Sequence, residues 1–172
     1  MHNLSFEIFV QQDKISRSDW DRLLGKIGTY DANFSIEFTF NLNTVDLFLY
    51  SQKDLSQVAT KLDGFVLKPT DRQPFTENVN KKIRFKISSK SNILEIKEKE
   101  EFNKERVITN INVNVKKIFS FNVYSIKILL KDKFGNEYYS SYNTFANPFS
   151  SFEFDFKNSS KIKKRSAPLS LR

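Results

Sequence analysis

The sequence predicts an α+β protein, and three observations support this prediction. Short alternations of apolar and polar residues, which are typical of half-buried strands, recur along most of the 172 residues. Two segments near the start instead carry apolar residues at helical spacing. In residues 1–68 the resulting order is β-α-β-β-α-β, which is the order of the ferredoxin-like split βαβ arrangement. We expect a second, β-rich α+β unit to follow and to pack against the first.

The first strand and the first helix each have their own spacing. The stretch FEIFV at 6–10 alternates between two faces, which predicts a strand. Ser16 stands three residues before Asp19 and can cap the start of a helix, and Gly28 fits the position just after its end. The helix itself is predicted from one apolar stripe, which consists of Trp20, Leu23, Leu24 and Ile27.

A hairpin, a second helix and a fourth strand complete the first unit. Residues 34–50 contain two alternating strands joined by an asparagine-containing turn. A helix is predicted over 55–62, with Ser51 or Asp54 as its N-cap. A short strand at 65–68 then ends at a proline.

The rest of the chain divides into a linker, a second unit and a tail. Residues 69–80 are polar and contain two prolines, which predicts a linker. Residues 81–157 contain several alternating strands, and residues 158–172 form a basic tail without periodicity, which we predict to be disordered. Residues 105–118 fit two patterns: their branched side chains favour a strand, and the preceding run of Glu and Lys favours a helix. The sequence leaves both alternatives open.

The composition excludes several kinds of chemistry. The sequence has no cysteine and one histidine, His2, which rules out disulfides, thiolate zinc sites, a cysteine nucleophile and imidazole metal clusters. It has neither a GxxxxGK[ST] loop nor a GxGxxG turn for nucleotide phosphates. The acids at Glu98, Glu100 and Glu101 are interleaved with lysines, as on a solvated face. We therefore predict a protein without enzymatic activity and without a cofactor.

Positive charge is concentrated towards the C-terminal end. The formal net charge is +8, and residues 157–172 contribute six of these charges and no acid, so that the preceding residues carry +2. Such a tail attracts nucleic-acid phosphates or anionic lipid headgroups, or it is only a solvated end. No apolar run approaches the about 20 residues of a membrane-spanning helix, and the start lacks the features of a secretory signal. We expect a cytoplasmic or organelle-matrix protein that is not secreted.

Three aromatic residues could form a platform for nucleic acid. In RNA-recognition folds of this element order, bases stack on aromatic side chains of the first and third strands, on the sheet face away from the helices. Phe9, Phe48 and Tyr50 fall on that face by alternation, although Asp46 stands beside them and the usual glycine and basic lead-in are missing. The basic residues that could add phosphate contacts lie in the tail: Lys161, Lys163, Lys164 and Arg165. The other interpretation, which we favour, is that residues 80–157 cover this face, because exposed aromatic patches are costly in water.

Several of these stretches resemble the N-terminal region that precedes the motor domain in some conjugation and type IV secretion ATPases. The resemblance rests on FSIEF at 34–38, VDLFLY at 45–50, FVLKP at 65–69, LEIKEKEEF at 94–102 and YSIKILL at 124–130. It implies an accessory unit that binds other proteins of the apparatus and hydrolyses no ATP, since the motor's phosphate loop is missing. It also favours the helical alternative for residues 105–118.

Two functional hypotheses follow. The first is a non-catalytic interaction or assembly module whose partners are other protein subunits of a conjugation or type IV secretion apparatus. The alternative is an RNA- or single-strand-binding, ribosome-associated protein that uses Phe9, Phe48, Tyr50 and the basic tail. A structural part of a virion or organelle particle fits the composition equally. The exposure of Phe48 and Tyr50 distinguishes the first two, because buried rings favour the interaction module.

Overall fold

The fold is described by a computed structural model that covers residues 4–12, 15–41, 44–75, 81–83, 85–90, 93–98, 106–151, 154–155 and 162–164. Within 85–98 and 150–164 it describes the backbone alone. The prediction of an α+β protein is confirmed: the described residues are rich in strands and contain two α-helices.

The first unit contains its elements in the predicted order. Their bounds are β1 Leu4–Val10, α1 Arg17–Gly28, β2 Asn33–Asn41, β3 Thr44–Ser51, α2 Ser56–Ala59 and β4 Phe65–Thr70. Helix α1 begins at the predicted cap, where Ser16 Oγ accepts a hydrogen bond from Asp19 N at 3.2 Å and Asp19 Oδ2 accepts one from Ser16 N at 2.9 Å. Helix α2 has one turn and is shorter than predicted, although Leu55 and Leu62 at the ends of its predicted stripe are buried.

The remaining elements are almost all strands. Their bounds are β5 Lys81–Lys82, β6 Phe85–Lys90, β7 Ile93–Glu98, β8 Arg106–Ile118, β9 Phe121–Asp132, β10 Glu137–Thr144, a 3-10 turn at Pro148–Ser151, β11 Phe154–Asp155 and β12 Ile162–Lys164. Residues 106–118 are therefore a strand, and the helix that the resemblance favoured there is wrong. Strand β12 also lies within the tail for which the sequence predicted no regular structure.

A β-bulge explains why the sequence of β8 fits both periods. The pairing of β8 with β9 shifts register between Ile108 and Asn110, so Thr109 is an extra residue in the ladder. Ile108 and Ile111 consequently reach the same face although they are three residues apart, which is helical spacing. The branched residues beyond the bulge, which alternate in the ordinary way, indicated the correct structure.

One large sheet joins the two parts of the chain. Its described strands run in the order β4-β1-β3-β2-β8-β9-β10-β5, and every neighbouring pair is antiparallel except β10 with β5. Strand β12 pairs with Thr44 and Val45 of β3, on the edge that β1 occupies farther along. Strands β6 and β7 form a separate hairpin.

We expected the second part to pack against the first, and the structure shows how the two are joined. Strand β8 pairs with the edge of β2 over seven residue pairs from Asn33–Lys116 to Thr39–Asn110, and so continues the same sheet. The sequence did not predict this pairing, because alternation along a strand predicts which faces are buried, whereas it contains no information on which strand lies at its edge.

The two faces of this sheet differ in chemistry. One face is apolar and is covered by α1, whose stripe is buried between 0 and 5% exposure. The 3-10 turn after β10 adds Phe149, which is fully buried with its ring 5.0 Å from that of Trp20 and 6.0 Å from that of Phe38. Helix α1 is thus packed between strands of the first part and a ring supplied by the second. The other face, which we call the polar face, contains the predicted platform.

Candidate functional site

The predicted aromatic platform lies on the polar face, as alternation indicated. Cross-strand pairing places Glu7 opposite Phe48 and Ser5 opposite Tyr50, so Phe9, Phe48 and Tyr50 share one side of the sheet. Phe48 is 8% exposed and Tyr50 is 1% exposed. Phe9 is half-buried, with the Lys68 ammonium group 5.0 Å from its ring centroid. Phe48 and Tyr50 therefore offer no open ring face on which a base could stack.

Residues 71–75, which we call the cover segment, close this face. They follow β4 at the sheet edge and return across β3 to β2. The Arg72 guanidinium group lies 4.2 Å from the ring centroid of Phe48, and its terminal nitrogen donates to Thr39 Oγ1 at 3.0 Å. The backbone N–H of Phe75 donates to Glu37 Oε2 at 3.4 Å. Residues 71–75, which belong to the predicted linker, therefore cover Phe48, a role that we expected residues 80–157 to have.

The carboxylate of Glu37 is the centre of the polar face. Glu37 is fully buried in the middle of β2, and charged groups are buried at this depth only when they are paired. It accepts hydrogen bonds from Tyr50 Oη at 2.5 Å, from Asn110 Nδ2 at 2.9 Å and from the cover segment, and it pairs with Arg72 Nε at 3.5 Å. We call these residues, together with Thr39, the Glu37 cluster.

The environment of the Glu37 cluster favours the neutral, protonated form of the Tyr50 hydroxyl. Burial raises the pKa of Tyr50 well above its usual range, and its hydrogen bond to the Glu37 carboxylate raises that pKa further. Tyr50 consequently keeps its proton and acts as a donor to Glu37. All of these hydrogen bonds join groups of the same chain, so the cluster fixes the cover segment on the sheet and leaves its carboxylate out of reach of a substrate.

A row of asparagines continues the polar face onto β8. Asn112 Nδ2 donates to Ser35 Oγ at 3.4 Å, and Asn114 Nδ2 donates to Asn33 Oδ1 at 2.9 Å. Together with Asn110, these side chains connect the first part of the chain to the second on the face where apolar packing is missing. Their signal in the sequence is the alternation NINVNV at 110–115, which places the three asparagines on one face of the strand.

The basic tail is described only in part. Lys163 and Lys164 lie in β12. Lys163 pairs with Thr44 of β3 on one side and with Asp155 of β11 on the other, and Lys164 pairs with Phe154 of β11. Lys161 and Arg165 lie outside the described residues, as do the acids predicted at Glu100 and Glu101. The described backbone brings the tail to the Thr44 end of β3, several residues from Phe48.

A basic cleft of about 600 Å³ lies between the two helices. Its charged residues are Arg22, Lys26 and Lys61, and Tyr30 forms part of its wall. Each cation already has a partner: Arg22 contacts Asp19, Lys26 Nζ donates to the carbonyl of Lys61, and Lys61 Nζ donates to Tyr30 Oη at 3.1 Å. Among the described residues, no group of three His, Cys, Asp or Glu side chains could hold a metal ion.

Two surface features remain that sequence reasoning missed. The first is the end of the β8–β9 hairpin, where Ile118, Phe119 and Phe121 are exposed; we call these three residues the apolar tip. The second is the outer edge of β10 at residues 140–144. Strand β5 pairs with this edge only at Tyr138 and Tyr139. In the part of the chain that the structure describes, residues 140–144 pair with β9 on their inner side and with no strand on their outer side. The edge depends on pairing between distant segments, which single-strand patterns do not reveal, and the tip lies at a two-residue turn without the usual glycine or asparagine.

Comparison with known proteins adds no relative. No protein-family model matches the sequence, and neither a curated protein nor a solved structure is significantly similar to it. Among the described residues, no helix is long and apolar enough to cross a membrane.

Proposed function

We propose that the chain is a non-catalytic protein-interaction module of a larger assembly, and that a strand of its partner adds to the outer edge of β10. The observation that carries this proposal is the contrast between the two edges of the large sheet. The edge at β4 contains Lys68 and Pro69, and both residue types are used to prevent further strand pairing. The outer edge of β10, with the sequence SSYNT at 140–144, has no charge and no proline.

The geometry of this edge suits strand addition. The carbonyl of Tyr139 accepts a hydrogen bond from Ile83 N at 3.2 Å, so the backbone groups of Tyr139 point away from β9. Because these groups alternate along a strand, the N–H and C=O groups of Ser141 and Asn143 point the same way. They form a ladder of donors and acceptors for an extended segment of a partner protein.

The first 70 residues support the finer fold prediction as part of the same proposal. Strands β4, β1, β3 and β2 lie side by side in that order, all antiparallel, with α1 and α2 in the two connections. We propose that this part is a ferredoxin-like split βαβ unit whose free β2 edge has been extended by β8. Modules of this kind serve many functions, so the fold alone does not specify the partner.

For the assembly itself, we propose a conjugation or type IV secretion apparatus. The support is the resemblance of the β2–β3 hairpin, FSIEF and VDLFLY, to the region before the motor domain of its ATPases. The strand at 106–118 departs from that resemblance, since the resemblance favoured a helix at these residues. The nucleic-acid alternative has less support, because the cover segment occupies the ring face of Phe48 that it requires.

Amide hydrogen exchange in the isolated chain and in its native assembly tests the proposal. The N–H groups of Ser141 and Asn143 should exchange fast in the isolated chain and become protected in the assembly. Those of Ser140 and Tyr142, which bond to β9, should be protected in both states and serve as internal controls. A Ser141→Pro variant, which removes one outward N–H, should lose the partner. Fast exchange at Ser141 and Asn143 within the assembly would refute strand addition.

A further inference from the structure

The apolar tip has the form of an anchor for a surface outside the chain. Ile118 pairs with Phe121, and a two-residue turn of Phe119 and Ser120 closes the hairpin. Phe119 is 94% exposed and Phe121 is 65% exposed, which are very high values for side chains of this size. Exposed apolar side chains grouped in this way mark protein- or membrane-interaction sites.

The backbone at Phe119 shows that this exposure has a structural cost. Phe119 has φ +55°, in the left-handed region, at the first central position of the turn. Two-residue hairpin turns with a positive φ at this position ordinarily have glycine there, because a side chain is disfavoured. In this chain the position holds a phenylalanine whose ring makes the outermost point of the hairpin. Neither turn geometry nor core packing accounts for that residue.

The charged residues that flank the apolar tip along the chain are all basic. Lys116 and Lys117 directly precede the tip and are exposed. From Val107 to Lys131 the sequence contains four lysines and no acid. Asp31 and Asp21, which adjoin this end of the sheet, lie outside the hairpin: Asp31 is buried and accepts hydrogen bonds from Ser51 and Gln52, and Asp21 accepts one from Asn147. The tip therefore presents aromatic rings within a basic collar.

A further aromatic ring extends the tip sideways. Thr144 of β10 pairs with Tyr124 of β9, so Phe145 leaves the sheet at the same end as the hairpin turn. Phe145 is 76% exposed. Exposed aromatic rings at this end therefore come from two segments of the chain, the β8–β9 turn and the segment after β10.

We propose that the apolar tip inserts into the headgroup region of an anionic lipid membrane, with Lys116 and Lys117 in contact with the lipid headgroups. Aromatic side chains favour the membrane–water interface, and basic residues beside them are attracted by anionic lipids. A convex tip with a basic collar fits a soft, negatively charged surface better than it fits a protein pocket, which would have to be both deep and acidic. This site is separate from the outer edge of β10, so the proposal goes beyond strand addition.

Co-sedimentation of the full chain with vesicles tests the proposal. One set of vesicles consists of phosphatidylcholine, and the other adds about a third of phosphatidylserine. The wild type should pellet with the anionic vesicles and remain in solution with the neutral ones. The double variant Phe119→Ser/Phe121→Ser should bind at least about tenfold more weakly, since burial of one phenylalanine side chain is worth roughly a factor of ten or more. Lys116→Glu/Lys117→Glu should weaken the preference for phosphatidylserine, although the basic tail remains.

The molecule offers a matched control for the aromatic substitutions. Phe134 is 76% exposed in the β9–β10 turn at the other end of β9, and Lys131 and Lys133 lie close to it in the sequence. Phe134→Ser should bind the vesicles like the wild type. Circular dichroism of each variant should show an unchanged fold, because all of these side chains are on the surface.

Four outcomes would overturn the proposal. Undiminished binding by the Phe119→Ser/Phe121→Ser variant would assign vesicle binding to the basic tail, which that variant keeps. Equal binding to both kinds of vesicle would exclude the role of the lysines. No binding to either kind would exclude a membrane partner. A tip-dependent dimer, detected by light scattering and lost in the same variant, would make a second copy of this chain the occupant. None of these outcomes changes the exchange pattern that tests strand addition at β10.

Discussion

The polar face and the apolar tip contain the same kind of side chain in opposite environments. On the polar face the ring of Phe48 is 8% exposed beneath the Arg72 guanidinium group, and the hydroxyl of Tyr50 is bonded to Glu37. At the tip Phe119 is 94% exposed on a backbone angle that disfavours it. The sequence contains 18 phenylalanines, so the presence of a phenylalanine does not by itself show whether its ring is buried or exposed.

What distinguishes the two regions is whether another segment of the chain supplies polar partners. The cover segment brings an arginine and a backbone N–H to the polar face, and β8 brings Asn110. The tip extends beyond the strands beside it and receives no such segment among the described residues. An aromatic residue on a strand therefore indicates a binding site only when no other segment of its own chain covers it.

The largest effect is expected from removal of the centre of the polar face. Glu37→Ala removes the shared acceptor of Tyr50, Arg72 and Asn110. Arg72 and Asn110 keep their hydrogen bonds to Thr39, whereas the buried hydroxyl of Tyr50 loses its acceptor. These donors lose the Glu37 carboxylate, and a buried donor such as the Tyr50 hydroxyl costs about 1–3 kcal/mol when it is left unsatisfied, so we expect a loss of roughly 3 kcal/mol or more in the free energy of unfolding. Urea denaturation measures this loss.

Glu137→Ala is the matched control for that measurement. Glu137 is exposed at the start of β10, and surface substitutions of this kind usually change stability by less than about 0.5 kcal/mol. If both variants unfolded at the same urea concentration, the Glu37 cluster would not hold the polar face together.

A smaller loss is expected when the cover alone is weakened. Arg72→Ala removes the cation over Phe48 and two donors, but Glu37 keeps its bonds to Tyr50 and Asn110. We expect a loss of about 1–3 kcal/mol, the range for a hydrogen bond to a charged group. Arg17→Ala is the control, because the Arg17–Asp21 ion pair is exposed and such pairs contribute about 0–1 kcal/mol. Filter binding of the Arg72→Ala variant to single-stranded RNA shows whether Phe48, once it is uncovered, acts as a stacking platform.

The sequence predicted more of the first part than of the second, for a physical reason. The order of elements, the cap at Ser16 and the buried faces of β1 to β3 follow from local spacing, and the structure agrees with each. The extension of β2 by β8 and the return of residues 71–75 across the sheet depend on contacts between distant segments. Arg72 was read as part of a polar linker because nothing in its neighbours shows that Glu37 lies beneath it.

The candidate sites show the same limit. Alternation correctly placed Phe9, Phe48 and Tyr50 on one face, but it could not show that Phe48 and Tyr50 are covered. The apolar tip was not predicted at all, since KKIFSF at 116–121 has no glycine or asparagine to indicate a two-residue turn. A phenylalanine with a positive φ is rare, and a rare feature is one that residue statistics predict poorly.

The alkaline limb of the stability curve distinguishes the buried phenol from exposed ones. The folded-state pKa of Tyr50 is raised by burial and by Glu37, while the phenol titrates near 10 in the unfolded chain. Its contribution to stability is therefore complete below pH 10 and decreases as the pH rises above that value, because only the unfolded state then loses the proton. Tyr50→Phe should be less stable than the wild type at pH 7, and the difference should narrow between pH 9 and 11. A constant difference would mean that Tyr50 is as accessible as an ordinary surface tyrosine.

The smallest effect is expected at the tip, and its sign is reversed. Phe119→Gly replaces a side chain that is 94% exposed and removes the penalty of a positive φ, which amounts to about 1–2 kcal/mol for a residue with a Cβ atom. We expect the variant to be more stable than the wild type by up to about 1 kcal/mol, since glycine also gives the unfolded chain more freedom. Thermal melts measure the gain. Phe121→Gly places glycine at the first residue of β9, where φ is not positive, and should instead lose stability. A destabilised Phe119→Gly variant would show that the ring of Phe119 packs on its own chain, as that of Phe48 does. A gain in stability combined with weaker vesicle binding would show that the phenylalanine is retained for contact with a partner and not for the fold.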